Sequence, residues 1–274
     1  MRLVEAAGLP THLRHFGEGP RTALMIHCTL GQSALWQPLA GRLGDLLTMT
    51  AFDLPGHGRS AAWQGPGDVQ ALAVRMAADL VEDGPADVIG HSFGGTVALR
   101  LAAERPDLVR SLTLIEPVFF QVLIVDRPDL MAAHDAEMRP YSDAVARGDW
   151  MEAARLFTSI WGDGRPWETL PDEQRQAMAR RMRVVEAASE AILSDAGAVL
   201  SSGSLERMAI PTLMVEGADS PEYIGAVCER LAARIPHARR AVIAGAGHMV
   251  PISHPEAVAR EILAFLGGGE AAPG

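Results

Sequence analysis

The serine at position 92 lies in a short pattern that is typical of a nucleophile. Residues 90–95 read GHSFGG, with glycines two positions before and two positions after Ser92. The preceding ADVI predicts a buried strand, and the following TVALRLAAE predicts a helix. A sharp strand-to-helix turn strains the serine backbone and sets its hydroxyl at a helix N-terminus, which favours developing negative charge. We therefore expect Ser92 to be a nucleophile rather than an ordinary helix cap.

A serine hydroxyl is a poor nucleophile at neutral pH and needs a base. Of the nine histidines, His248 is the best placed, because it lies in the glycine-rich segment AGAGHMVP just after the last predicted strand. A loop at the carboxyl end of a strand can bring its side chain to Ser92. His91 adjoins the nucleophile, but we expect its side chain to point away from it.

The base needs a carboxylate to orient it. Asp219 follows the predicted strand IPTLMVE and comes before His248, which gives the order serine, aspartate, histidine that this topology favours. We therefore predict that Asp219 is the acid. Glu116, at the end of the strand that follows the nucleophile helix, is the main alternative, and Glu216 is another.

Attack on a carbonyl also needs amide donors for the developing oxyanion. The amide of Phe93, directly after the serine, is one predicted donor. The segment after the first buried strand, residues 27–31, is expected to supply the other, through the amide of Thr29. In this segment we interpret His27 as a residue that braces the loop. Cys28 has no evident base partner and is not favoured as a second nucleophile.

Short apolar runs alternate with helical patterns along most of the chain, which indicates a mostly parallel sheet with helices on both faces. The predicted strands are 22–28, 46–53, 86–91, 110–116, 210–216 and 239–244. The predicted core helices are 68–82, 93–104 and 255–266. The first 20 residues are expected to add an antiparallel hairpin at one edge, with a turn at 8–10.

Between Glu116 and Ile210 the alternation stops, and the sequence predicts helices at 130–147, 149–161, 171–183 and 184–200. We interpret this region as a helical cap inserted between two core strands, rather than a separate helical domain of unrelated purpose. The predicted domains are a core at 1–117 and 208–268, a cap at 118–207 and a disordered tail at 269–274.

Composition narrows the classes of partner. The 274 residues are 48% hydrophobic, enough for one large core, and the formal net charge is −10. Such a charge argues against nucleic acid and mildly disfavours a strongly anionic substrate, although a local basic pocket would override it. The first ten residues do not resemble a signal peptide, and no apolar run would span a membrane. We expect a cytoplasmic monomer or homodimer that acts on a small molecule, with two free thiols, Cys28 and Cys228.

Four stretches together resemble one known family. They are FDLPGHGRS at 52–60, GHSFGG at 90–95, LTLIEP at 112–117 and GAGHMVPISHPE at 245–256. The chain resembles the α/β-hydrolase-fold proteins, in particular the small, capped esterases, lactonases and C–C hydrolases, over about residues 22–266. The resemblance implies an eight-stranded, mostly parallel sheet, a structural role for His57 and Arg59, and no cofactor or metal. The chain departs from the family at Cys28, where a glycine is usual.

The serine nucleophile narrows the predicted chemistry to hydrolysis of a carboxylic ester, lactone or related carbonyl compound through an acyl-enzyme. Cleavage of a carbon–carbon bond in a β-diketone or ring-fission product is an alternative that uses the same residues. A ligand-binding receptor without turnover is an alternative of another class. The aromatic residues of the cap would line an apolar pocket or belong to the core. The candidate pocket residues are Cys28, Leu30, His91, Phe119, Phe120, Trp161, Trp167 and Met249.

Overall fold

An eight-stranded sheet forms the centre of the molecule in the computed structural model, which describes residues 3–65, 67–81 and 84–268. The strands are β1 (Leu3–Ala6), β2 (Leu9–Phe16), β3 (Arg21–Ile26), β4 (Leu47–Phe52), β5 (Ala86–His91), β6 (Val109–Ile115), β7 (Thr212–Gly217) and β8 (Arg239–Ile243). Their order in the sheet is β1-β2-β4-β3-β5-β6-β7-β8. The six strands from β3 to β8 are parallel, and β1 and β2 pair antiparallel at one edge. The predicted mostly parallel sheet of eight strands is confirmed.

Helices alternate with the parallel strands except between β6 and β7, where four helices follow one another. The helices are α1 (Gln37–Leu43), α2 (Val69–Asp79), α3 (Phe93–Glu104), α4 (Gln121–Asp126), α5 (Pro128–Ala146), α6 (Trp150–Trp161), α7 (Asp172–Leu193), α8 (Glu222–Arg234), α9 (Val250–Ser253) and α10 (Pro255–Leu266). The helix predicted at 68–82 begins as expected, because the Asp68 carboxylate caps it by accepting a bond from the Ala71 amide. It ends at Asp79, and residue 82 lies outside the described residues.

The central strands are covered on both faces, which explains their continuous apolar sequence. In β3, Leu24 and Ile26 belong to one hydrophobic core, and Ala23 and Met25 belong to another. Alternate side chains of a strand point to opposite faces. Helices α2, α3 and α8 contribute to the first core, and α1 and α10 contribute to the second.

Helices α4 to α7 lie between β6 and β7 in sequence and form an inserted layer. Residues of α5, α6 and α7 share a small core of their own, which includes Tyr141, Ala154 and Met182. The prediction of two helices at 171–183 and 184–200 was wrong. One helix, α7, runs through Val184 and ends at Leu193, because no glycine or proline interrupts it. A turn follows, in which the Asp195 carboxylate accepts bonds from the amides of Leu200 and Ser201.

The described residues contain no helix that is both long and apolar enough to cross a membrane. The predicted N-terminal hairpin is present as β1 and β2, with its turn at Ala7 and Gly8, one residue earlier than expected. The predicted disordered tail, 269–274, lies outside the described residues.

Candidate active site

Ser92 lies in the turn between β5 and α3, at the carboxyl end of the parallel strands. Its φ of 56° is in the left-handed region, which costs a non-glycine residue conformational energy. The turn is held from the sheet side, because the Ser92 amide donates to the carbonyl of Ile115 on β6 at 2.9 Å. The side chain is 5% exposed. The structure therefore has the strained strand-to-helix turn that the sequence predicts.

The glycines around the serine are required by close backbone approaches. A Cβ on Gly90 would lie 2.3 Å from the carbonyl oxygen of Gly94. A Cβ on Gly94 would lie 2.2 Å from the oxygen of Ile26 and 2.6 Å from that of His27. A side chain at Gly90 would push the end of β5 away from the start of α3, and a side chain at Gly94 would push the turn away from β3 and the loop after it.

His248 connects the serine to a carboxylate. It follows β8 in a loop, is 5% exposed, and its Nε2 lies 3.0 Å from Ser92 Oγ. Its Nδ1 lies 3.0 Å from Oε2 of Glu116. A carboxylate accepts hydrogen bonds, so Nδ1 donates to Glu116 and Nε2 is left to accept the serine proton. Serine, histidine and glutamate thus form one continuous hydrogen-bonded chain.

Glu116 is fully buried, directly after β6, with a φ of 49°. Its Oε1 accepts bonds from the amide of Gly217 at 2.6 Å and from the hydroxyl of Ser220 at 2.9 Å. Its Oε2 accepts from Ser220 at 2.8 Å as well as from His248. These donors compensate the cost of burying a carboxylate and fix the direction in which it meets the imidazole.

The predicted pairing of His248 with Asp219 is not found, and Glu116, the alternative, takes that place. Asp219 is exposed in the loop after β7, and its amide donates to the carbonyl of Ala246. That bond fixes the loop backbone while the Asp219 side chain faces solvent. Glu116 lies one strand closer to the serine, and its longer side chain spans the remaining distance.

Two buried histidines brace the loop that carries Thr29. Nε2 of His27 accepts a bond from the amide of Leu54 at 3.0 Å, and its Nδ1 donates to the carbonyl of Cys28 at 2.7 Å. Nε2 of His57 accepts from the amide of Leu30 at 3.1 Å. Both rings must be neutral to accept these bonds, and burial lowers the pKa of His27 to about 4 and of His57 to about 3. The bracing role predicted for His27 agrees with these contacts.

The amides of this loop are not equally available to a ligand. The Leu30 amide is used by His57, and the Gly31 amide donates to the carbonyl of Cys28 at 3.1 Å. Thr29, half-buried, lines the cavity that also contains Ser92 and Phe93. The two predicted oxyanion donors therefore border the same space as the serine.

His91 contacts the backbone of His248. Its Nε2 donates to the backbone carbonyl of His248 at 2.9 Å, and the ring is 2% exposed. Burial lowers the pKa of His91 to about 3, and His248 adds to the effect. A neutral His91 therefore fixes the His248 backbone without adding a second positive charge beside it.

A cavity of about 550 Å³ opens over the serine between the sheet and the inserted helices. Five of the predicted pocket residues line it: Cys28, Leu30, Phe120, Trp161 and Met249. The Trp161 ring contacts the His248 ring, with centroids 4.8 Å apart. Polar side chains from α7, which sequence reasoning missed, also line it: Gln174, Arg181 and Ser189.

Three predicted pocket residues lie elsewhere. His91 is behind the base, and Phe119 is 4% exposed in the core of the sheet. Trp167 packs against the small core of α5 to α7. These three predictions were wrong because they used residue type and position in the sequence. Aromatic residues near the insertion or near Ser92 occur in the core as well as in a pocket.

Cys28 lines the cavity as a thiol. Burial raises its pKa to about 12, so it carries no thiolate at neutral pH. Both Cys28 and Cys228 are free and buried. Among the described residues, no group of three or more histidine, cysteine, aspartate or glutamate side chains is arranged to hold a metal ion.

The sequence matches the model of one known protein family. The model of the alpha/beta hydrolase family matches residues 23–261. The chain belongs to the alpha/beta hydrolase family. The matched region contains Ser92, His248, both candidate acids and the whole insertion. Membership of this family indicates that the protein is an enzyme, a hydrolase.

Similar proteins include named ester hydrolases. The hydrolase is 32% identical over 254 residues to the pimeloyl-[acyl-carrier protein] methyl ester esterase of Neisseria meningitidis serogroup B, covering 89% of this chain and 92% of that protein. It is 36% identical over 164 residues to lipase LipV of Mycobacterium tuberculosis, covering 57% of each. The crystal structure of an alpha/beta hydrolase from Sphaerobacter thermophilus superimposes with a TM-score of 0.72 at 23% identity, covering 97% of this chain and 100% of that one.

Proposed function

We propose that this hydrolase cleaves a carboxylic ester, or a closely related carbonyl compound, through an acyl-enzyme on Ser92. The observation that carries the proposal is the hydrogen-bonded chain from Ser92 through His248 to Glu116. A buried serine with an imidazole nitrogen at 3.0 Å, itself oriented by a buried carboxylate, is the arrangement that activates a hydroxyl for acyl transfer.

The first half of the reaction forms the acyl-enzyme. His248 Nε2 takes the proton from the Ser92 hydroxyl as Oγ bonds to the carbonyl carbon. The carbonyl oxygen becomes an oxyanion, which the amides of Thr29 and Phe93 stabilise. The oxyanion then re-forms the carbonyl, the bond to the leaving alcohol breaks, and His248 gives the proton to the departing oxygen.

The second half returns the free enzyme. His248 takes a proton from water as the water oxygen bonds to the acyl carbon. Collapse of this second oxyanion breaks the bond to Ser92 Oγ, and His248 returns the proton to the serine. Glu116 holds the imidazole in place and stabilises the imidazolium that exists between the steps.

The inserted helices supply substrate specificity in this proposal, as a cap over the serine. Phe120 and Trp161 give the cavity an apolar wall close to His248. A cavity of about 550 Å³ falls in the range of sites that enclose a small organic molecule. The ester hydrolase among the relatives, named for a methyl ester, supports an ester as the substrate.

The proposal is tested by covalent labelling and turnover. A fluorophosphonate should label wild type on Ser92, and a short-chain p-nitrophenyl ester should be hydrolysed. Ser92→Ala should lose both the label and at least about three orders of magnitude in kcat. Ser189→Ala removes another serine of the same cavity and should keep the label.

Persistent labelling or undiminished turnover of Ser92→Ala would remove Ser92 as the nucleophile. A substrate panel with esters, lactones and dienone acids then separates ester cleavage from carbon–carbon cleavage. A protein that labels but hydrolyses no member of the panel would instead fit the receptor alternative.

A further inference from the structure

An arginine on α7 faces the catalytic cavity without a carboxylate beside it. Arg181 is half-buried and lines the cavity that contains Ser92 and His248. In the part of the chain that the structure describes, Arg181 has no ion pair or hydrogen bond to another side chain. Withdrawing a guanidinium from water without a partner is costly, so such a group is a natural counterpart for an anion from outside the protein.

The carboxylate of Asp53, whose charge acts on Arg181, already accepts hydrogen bonds from other donors. Asp53 accepts bonds from the amides of Ser33 at 2.7 Å and Arg59 at 2.8 Å, and it pairs with His12 Nδ1 at 3.0 Å. These bonds hold Asp53 in the network that supports the oxyanion loop. The field of Asp53 reaches Arg181, but its oxygen atoms are bound elsewhere.

Positive charge continues outward from Arg181. A second cavity, of about 500 Å³, lies beside Trp63 and Gly56 and shares Ala177 and Arg181 with the first. Arg180 and Arg183 also line it. In a protein of net charge −10, three arginines within four residues of one helix form a local region of opposite sign. Such a region raises the local concentration of anions despite the overall charge.

The position of Arg181 relates it to the reaction. Its charge contributes to the lowered pKa of both His27 and His57, the two histidines that brace the Thr29 loop, after the larger effect of burial. The guanidinium therefore acts on the side of the cavity where this loop is.

We propose that Arg181 binds an anionic group, a carboxylate or a phosphate, carried by the substrate at a distance from the bond that is cleaved. The inference rests on the proposed ester hydrolysis and specifies its substrate class. A guanidinium binds either group through two parallel hydrogen bonds, so the chemistry at Arg181 is the same for both sources. Binding energy at this remote group would select charged substrates over neutral ones of equal length.

Two matched pairs of substrates distinguish the sources. One pair is a p-nitrophenyl monoester of a dicarboxylic acid, with a free terminal carboxylate, and the same ester ending in a primary amide. The other is an acyl thioester of 4′-phosphopantetheine and the same thioester of pantetheine. The anion preference is the ratio of kcat/KM for the charged member to kcat/KM for the neutral one.

Wild type should prefer the charged member of at least one pair, and Arg181→Gln should lower that preference about ten- to a hundredfold. Arg181→Lys should keep part of it, because it keeps the charge but loses the second hydrogen bond. Arg139→Gln, which removes a charge from an exposed position of α5, is the matched control and should leave the ratio unchanged. The neutral substrates report whether each variant is folded and active.

An unchanged preference in both pairs for Arg181→Gln would overturn the inference, as would an equal loss in Arg139→Gln. The proposed function fails separately, if neutral esters are hydrolysed equally by wild type and Ser92→Ala. Calorimetry on Ser92→Ala gives a readout that needs no turnover. The ligands are the charged and neutral substrates with the scissile ester or thioester replaced by an amide. Adding Arg181→Gln should weaken binding of the charged ligands about ten- to a hundredfold and leave binding of the neutral ligands unchanged. Equal binding of the charged ligands with and without Arg181→Gln would again overturn the inference.

Discussion

At the scale of single residues, the site is built from strained and buried groups that fix one another. Leu30, Ser92 and Glu116 have φ values of 60°, 56° and 49°. Leu30 lies in the loop that carries Thr29, Ser92 is the proposed nucleophile, and Glu116 is the proposed acid. Strain of this kind persists only where surrounding contacts determine the backbone. Hydrogen bonds from Gly217 and Ser220 do so for the Glu116 carboxylate.

Exchange of each candidate acid for its amide tests the role of Glu116. Glu116→Gln keeps an oxygen for Gly217 but presents either the wrong atom or a weaker acceptor to His248 Nδ1, which favours the wrong tautomer. We expect kcat to fall about 10³- to 10⁴-fold, as for an orienting carboxylate elsewhere. Asp219→Asn, in exposed surroundings, should change kcat less than about twofold. Steady-state kinetics on both variants, with thermal melting to verify folding, decides between them, and a reversed order would restore Asp219.

The sequence supports prediction of Ser92 and His248 better than prediction of the acid. Ser92 and His248 each sit in a glycine-rich segment next to a predicted strand, which is a local signal. The acid depends on which of two neighbouring strand ends faces the imidazole, and that is set by the packing of β6 beside β7. The only local signal for Glu116 is its position at the end of LTLIEP, which Asp219 matches at the end of the next strand.

At the scale of elements, the turn that carries Ser92 and the loop that carries Thr29 are packed as one unit. Gly94 touches the backbone of Ile26 and His27, so the start of α3 rests on the end of β3. The strand and helix patterns predicted most of this framework, because β5 and α3 have the expected bounds. The pattern failed at α7, where the composition of one long helix is compatible with two shorter ones.

Alanine in place of Gly94 should disturb this contact. Its Cβ would lie 2.2 Å from the Ile26 oxygen, so the turn and the loop must separate. We expect a loss of about 1–3 kcal/mol in the free energy of unfolding, measured by urea denaturation. We also expect a fall of about a hundredfold in kcat/KM, because the oxyanion donors move relative to Ser92.

Gly41→Ala is the matched control. Gly41 lies in α1, and a Cβ added there would have no neighbouring atom within 4 Å, so alanine should stabilise the protein by about 0.4–1 kcal/mol. A Gly94→Ala variant with the stability and activity of Gly41→Ala would show that the close approach is not needed.

At the scale of the whole molecule, the site introduces a pH-sensitive contribution to stability. His27, His57 and His91 are buried and neutral, and burial lowers their pKa values to about 4, 3 and 3. In the unfolded chain each has a pKa of about 6.5. Below that pH the unfolded chain binds more protons than the folded one, so acid favours unfolding.

The three histidines should therefore make their full contribution to the free energy of unfolding above about pH 6.5, and this contribution should decrease as the pH falls toward 4. Each histidine contributes a slope of about 1.4 kcal/mol per pH unit, so that the three together contribute about 4 kcal/mol per unit in the steepest part. Urea denaturation at pH 7, 6 and 5 measures the slope. The buried aspartates, whose pKa values are lowered, lose their contribution only at lower pH. A free energy of unfolding that stays constant from pH 7 to pH 5 would contradict the prediction.

The bonds of Glu116 have a consequence for how this enzyme could diversify. Glu116 follows β6 and stands just before the inserted helices, and its partners Gly217 and Ser220 lie at the end of β7 and in the loop after it, about a hundred residues further along the chain. The carboxylate thus holds together the carboxyl ends of β6 and β7. We expect the helices inserted between these two strands to tolerate lengthening, shortening or exchange while these bonds keep Glu116 beside His248, so that new substrates become accessible with the same hydrogen-bonded chain.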